Sequence, residues 1–192
     1  MATKASIITL PNPTLRERSH KVREVTDATR QLVHDMESAT LDWEASRHHE
    51  LGVALAAVQI NRLERVVVIR NDFEDKEDRS FLALINPEVI QTSGKPEYDH
   101  EGCLSVLDIY GLVPRYPAVK IKALNLNGQE IRVKAEGFLA RVLQHEIDHT
   151  NGLLFVDHVT DKNGFFHLNE DGHLQAIPYS SVEASGILSE SL

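Results

Sequence analysis

His145-Glu146-Ile147-Asp148-His149 is the stretch around which this 192-residue chain reads as organised. On a helix, residues four apart share a face, so His145 and His149 can hold one ion together. Glu146 follows the first histidine by one residue, which lets it lean towards the ion without coordinating it and accept a proton from a water there. In form this is the helix signature of a zinc hydrolase. Phe138, Leu139, Val142, Leu143 and Ile147 recur at three- and four-residue spacings beside the line Val142, His145, His149. The spacing predicts a helix from Ala135 or Glu136 to Thr150 whose ligands border the core and do not face bulk water. Asn151-Gly152 is its stop, because Gly tolerates the left-handed conformation that ends helices.

Upstream, Val119 to Ala123 and Ile131 to Ala135 flank Leu124-Asn125-Leu126-Asn127-Gly128-Gln129-Glu130. Asn-Gly between alternating runs is a hairpin signal in which both turn residues take positive φ, and this hairpin feeds straight into the motif helix. Arg65-Val66-Val67-Val68-Ile69 reads as a strand, Asn71 to Ser80 as a charged loop, and Phe81 to Ile85 as a strand stopped by Asn86-Pro87. Leu51 to Ile60 is apolar apart from Gln59. A buried amide without partners costs about 1–3 kcal/mol, so Gln59 is either satisfied by backbone, the default for such a residue, or aimed at something functional.

Thr26-Asp27 offers an N-cap to a first helix with Leu32, Met36, Ala39 and Trp43 on one face, fraying by His48-His49. Residues 1–25, with Pro11, Pro13 and Arg16-Glu17-Arg18, read as an extended arm laid on the surface. From Asp161 the apolar density falls and the net charge is -4, which reads as a partly ordered acidic C-terminal tail over 161–192 behind a single catalytic domain over 1–160. His158, His167 and His173 read as surface residues. The fold class expected is α+β, with small antiparallel or mixed sheets wrapped around the central metal-binding helix.

Hydrophobic content of 42% and charged content of 26% are those of a globular protein, and no run of about eighteen apolar residues offers a membrane span. Ile7 to Leu10 is too short for the apolar part of a signal peptide, so the cytoplasm is the expected location and no membrane partner is expected. A net charge of -9 with no visible basic patch argues against a specific nucleic-acid partner. The single cysteine, Cys103, excludes an internal disulfide framework; with no other context it reads as a small buried hydrophobe.

Context changes that reading. Two histidines leave a catalytic metal site one protein ligand short of the usual three, and the thiolate of Cys103, within Glu101-Gly102-Cys103-Leu104-Ser105, is a strong candidate. Here the chain resembles the peptide deformylases, which remove the formyl group from the N-terminal methionine of new bacterial and organellar chains. The resemblance rests on three ordered blocks, Gly52 to Gln59, Glu101 to Ser105 and Gln144 to His149, and spans roughly residues 8–160 with Asn12 to Arg16 and Val113 to Pro117.

The resemblance implies that Cys103, His145 and His149 bind one divalent metal, with Fe(II) expected and zinc, nickel or cobalt able to substitute. Glu146 is then the general base, and the Gln59 side-chain amide and the Leu104 backbone N–H meet the oxyanion charge. Substrate would bind by strand addition to Val53 and Ala54 and to the Glu101-Gly102 edge, with the methionine side chain in an apolar pocket lined by Val142, and Arg115 bracing that rim through Glu101. The substrates implied are formyl-Met nascent peptides, met through transient ribosome association. Three positions depart from the family's pattern: Ala54 and Val58 stand where Gly and Pro are usual, and Leu107 where Pro follows the second block. Two other readings follow from fewer residues. A zincin-type peptidase would need only the helix motif, with its third ligand downstream; a deformylase-like protein that grips N-terminal peptides without turnover would account for the methyl of Ala54.

Overall fold

A computed structural model of the chain describes residues 2–47, 50–169 and 171–188. Helix α1 spans Asp27–Ala45, and Thr26 caps it, its N–H donating to Thr29 Oγ1 at 3.2 Å. Strands β1 (Ala54–Ala56), β2 (Val66–Arg70), β3 (Phe81–Ser93), β6 (Ala118–Leu124) and β7 (Glu130–Glu136) form a five-stranded sheet in the order β1-β2-β3-β6-β7. Strands β4 (Glu97–Cys103), β5 (Val106–Arg115), β8 (Phe165–Leu168) and β9 (Leu174–Ala176) form a second, in the order β4-β5-β8-β9. Helix α2 is Gly137–His149 and a short α3 is Tyr179–Ala184. Among the described residues the strand ladders are antiparallel, with one parallel bridge between His20 and Glu64.

The period-two alternation of β2 decides how the layers stack. Val66 and Val68 pack with Leu32, Val33, Met36 and Trp43 of α1, while Val67 and Ile69 pack with Ala140, Leu143 and Ile147 of α2. A strand covered on both faces has no polar side to show, which is why this stretch reads as an unbroken apolar run. The opposite side of α2 reaches the second sheet, where Arg141 and His145 bond to β4 and β5, so the motif helix lies between the two sheets. Phe138 is the exception to the predicted apolar stripe: it is 53% exposed and meets the Phe73 ring edge-on at 5.1 Å.

Several expectations are corrected. Asn86-Pro87 does not stop β3; the register shifts between Ile85 and Glu88, and the strand continues to Ser93. The bulge takes up a proline that cannot donate to the ladder, and Asn86 enters the left-handed region at φ 54°. The Asn86 amide pairs with Val22, accepting from its N–H and donating to its carbonyl, both at 2.8 Å. The Asn-Gly hairpin forms, but only Gly128 of the pair has positive φ, and Asn125 Oδ1 instead accepts from the N–H groups of Asn127 and Gln129. The N-terminal arm is not merely laid on the surface. Leu15 is fully buried, and the backbone N–H groups of Ile8 and Leu10 donate to the carbonyls of Gln59 and Ser105. The fraying expected at His48-His49 falls outside the described residues.

The expected tail is also integrated as far as it is described. β8 pairs with Ile109 to Gly111 of β5, and Phe165, Val182 and Ile187 join Leu15, Val113 and Phe155 in one apolar cluster. Burying a side chain of this size contributes about 1.5–3 kcal/mol, so deletion of residues 161–192 is expected to remove several kcal/mol. In a chain of this length that lowers the thermal midpoint by about 10 °C. A deletion variant melting with the full chain would restore the tail reading.

Candidate metal centre

The two sheets end beside α2. β1 closes one sheet and β4 the other, and a cleft of about 300 Å³ opens where they meet. Val53 and Ala54 line it from one side, Glu101, Gly102, Cys103 and Leu104 from the other, and Val142, His145 and Glu146 form part of its floor. Gly102 is required here, because a Cβ would come within 2.6 Å of the Tyr110 ring. The Tyr110 hydroxyl in turn donates to Glu50 Oε2 at 2.8 Å, and both residues line the cleft.

Cys103 Sγ lies 3.2 Å from His149 Nε2, which lies 3.2 Å from His145 Nε2. All three donor atoms fall within 4.8 Å of one another. Ligands at ordinary Zn–N and Zn–S lengths around a tetrahedral ion stand about 3.3–3.6 Å apart, so this nitrogen-nitrogen-sulfur set fits one divalent ion with room for a further ligand. The tautomer fits as well. His145 Nδ1 is 2.9 Å from Glu101 Oε2, a carboxylate oxygen that can only accept, so Nδ1 carries the proton and Nε2 presents its lone pair to the cluster. Burial by itself would raise the Glu101 carboxyl, but the donors on His145 and Arg115 hold it far below the usual carboxylate range.

Glu146 follows His145 on α2, is 4% exposed, and its Oε2 is buried without a hydrogen-bond partner among the described residues. Burial pushes this carboxyl up to about 7. The Gln59 amide is satisfied from within the protein, partly by backbone as expected. Its Oε1 accepts from the Ala56 N–H at 2.8 Å, which turns Nε2 towards Ser105 Oγ at 3.1 Å and Cys103 Sγ at 3.5 Å.

Most residues expected at the site converge. Arg115 pairs with Glu101 as expected, Nε and Nη2 donating to that carboxylate at 2.9 and 3.1 Å and Nη1 to Asp148, but it is buried behind Glu101 and does not itself line the cleft. Val53 lines the cleft, but its carbonyl already accepts from the Arg70 N–H at 2.8 Å. Three contributors escaped the sequence reading: Ser105, which holds Gln59; Phe138, on the rim; and Arg141, which lines the cleft and binds Glu101. For Arg141 a signal existed, an arginine four residues before His145 and on the same face of the helix.

Residues 4–164 match the profile of the family described as polypeptide deformylase. A peptide deformylase of Thermomicrobium roseum is 42% identical over 169 residues, covering 86% of this chain and 92% of that one. Among solved structures, a peptide deformylase from Synechococcus elongatus in complex with actinonin superposes with a TM-score of 0.74 at 35% identity, covering 81% of this chain and 80% of that one. One from Legionella pneumophila superposes at 0.71 with 37% identity, covering 83% and 87%.

Proposed function

The chain belongs to the polypeptide deformylase family, and from that premise we propose which of its residues carry the removal of the N-terminal formyl group from formyl-methionyl peptides. It is a metal-dependent hydrolase of protein biosynthesis, releasing formate from new chains. The observation that carries the assignment of residues is the convergence of Cys103 Sγ and the Nε2 atoms of His145 and His149 beside a buried, unpartnered carboxylate oxygen of Glu146.

Cys103, His145 and His149 hold one divalent ion, Fe(II) in the cell, with zinc, nickel or cobalt accepted by the same borderline donor set. An ion held there would supply Lewis acidity, to the formyl carbonyl and to a water that is then more easily deprotonated. Glu146 takes the proton from that water and later delivers it to the departing amine. Gln59 Nε2 and the Leu104 backbone N–H face the oxygen on which charge develops. The substrate backbone lies between the end strands β1 and β4, and the methionine side chain packs against Val142 and Phe138. At the reacting carbon a formyl hydrogen fits where an acetyl methyl would clash. The first 188 residues act as one catalytic unit, without the division at residue 160. The protein works in the cytoplasm, meeting its substrate by transient contact with the ribosome; no described helix is long and apolar enough to cross a membrane.

The test is formate release from formyl-Met-Ala against acetyl-Met-Ala after anaerobic purification and metal analysis. Hydrolysis of the formyl peptide alone is expected, and oxygen-sensitive activity would identify iron. Gln59→Glu keeps the acceptor facing Ala56 and deletes the donor; kcat is expected to fall about 10²–10³-fold, the cost of one oxyanion donor, with metal content unchanged. An unaltered kcat would take Gln59 out of the reaction. The zincin reading is disfavoured because the third donor near the histidines is Cys103, upstream of the helix.

A further inference from the structure

Arg141 stands one helical turn before His145 and is 8% exposed. Its Nη1 donates to Glu101 Oε1 at 2.8 Å and to the Val113 carbonyl at 2.9 Å, and its Nη2 donates to the Glu97 carbonyl at 2.7 Å. One guanidinium on α2 thereby grips both strands of the β4-β5 hairpin and the carboxylate that orients a metal ligand. Glu101 Oε1 receives Arg115 Nε and Arg141 Nη1, while Oε2 receives Arg115 Nη2 and His145 Nδ1. Each carboxylate oxygen has two donors. Arg115 alone binds both oxygens from one side in a fork, which leaves the carboxylate free to tilt about that axis; the second guanidinium removes this freedom.

The charges are also opposed. Arg115 and Arg141 face Glu101 and Asp148, two cations against two anions, with His158 Nε2 also 2.8 Å from Asp148 Oδ2. The cost of burying Arg141 is met by three acceptors at short range, two of them backbone carbonyls that only a planar, multiply donating group could serve together.

We propose that Arg141 is a positioning residue that acts through Glu101: by locking the carboxylate it holds the His145 imidazole in the tautomer and orientation that aim Nε2 at the ligand cluster. This rests on Cys103, His145 and His149 being the ligands. The functional consequence is retention of the ion, since a ligand whose outer partner is loose leaves the metal more readily.

Arg141→Lys keeps the charge, hence the field at the ion, and loses the fork, so it isolates positioning from electrostatics. In the cobalt-loaded protein, loss of metal to an excess of chelator is expected to accelerate about 10-fold in Arg141→Lys and about 10–100-fold in Glu101→Gln. The double variant should lose metal no faster than Glu101→Gln, because a residue acting through Glu101 has nothing left to act on. The visible absorption bands of bound cobalt should change in Arg141→Lys, whereas a residue that only supports the fold would lower the melting midpoint and leave them alone. Unchanged metal loss in Arg141→Lys alongside faster loss in Glu101→Gln overturns the proposal, as do effects that multiply in the double variant. If His145→Ala retains cobalt as the parent does, the ligand assignment falls and this inference with it. Metal retained as described with no formate released would instead count against the catalytic roles and leave Arg141's role standing.

Discussion

Glu146→Gln is expected to lower kcat/KM for formyl-Met-Ala by about 10²–10⁴-fold, the range of a single positioned acid–base group, while the metal content stays at that of the parent. Gln has nearly the same shape, so α2 and the His145 and His149 ligands on it keep their places. What is lost is the basic oxygen. Glu146 Oε2 is buried and unpartnered among the described residues, as the proposed base requires of a lone pair kept for a transient donor. The surroundings keep it so: Gln59 and Ser105 are engaged with one another, and Glu101 is saturated by His145, Arg115 and Arg141. Full turnover in Glu146→Gln, measured as formate with the metal assayed in the same sample, would refute the assigned base.

Removing the ion is expected to abolish turnover, and Cys103→Ala should do the same by preventing stoichiometric binding. Three protein donors define the site, and an alanine leaves two imidazoles, a set that binds divalent ions far more weakly than one with a thiolate. The arrangement makes the cysteine irreplaceable from nearby. The sulfur approaches from the β4-β5 turn, with the Ser105 N–H and Gln59 Nε2 each 3.5 Å away, and both of these are donors that cannot ligate in its stead. Dialysis against a chelator followed by addition of Fe(II), Zn(II), Ni(II) or Co(II) separates the two causes of inactivity: activity should return in the parent and not in Cys103→Ala. Stoichiometric metal in Cys103→Ala would mean that the third ligand lies elsewhere, as the zincin reading requires.

Much of this site was legible before any coordinates. The i, i+4 histidines with an intervening glutamate need only a helix to converge, and the apolar residues flanking them supply the period that makes one. Gln59 stood out for a similarly local reason, as one amide in an apolar run. β4 did not, because Glu97-Tyr98-Asp99-His100 holds one aromatic among charged and polar residues and carries no alternation to read. Its strand exists because β5 pairs with it and because Arg141 and Arg115 reach it from behind. β3 was cut short for the opposite reason: Asn86-Pro87 is a sound local stop, overridden from elsewhere in the chain by Arg65, which satisfies the bulged backbone, and by Val22, which pairs with the Asn86 side-chain amide.

The sequence by itself determined the motif helix, its buried face and the histidine pair with Glu146, since these follow from residue types at short spacings, where helical geometry leaves few alternatives. Only the tertiary structure decided that Cys103 Sγ meets those histidines, that Arg115 stands behind Glu101 and not at the rim, and that Arg141 shares its carboxylate. Those are contacts between residues 14 to 46 positions apart, and their closure depends on two sheets packing against one helix, a balance of many buried surfaces that no local pattern encodes.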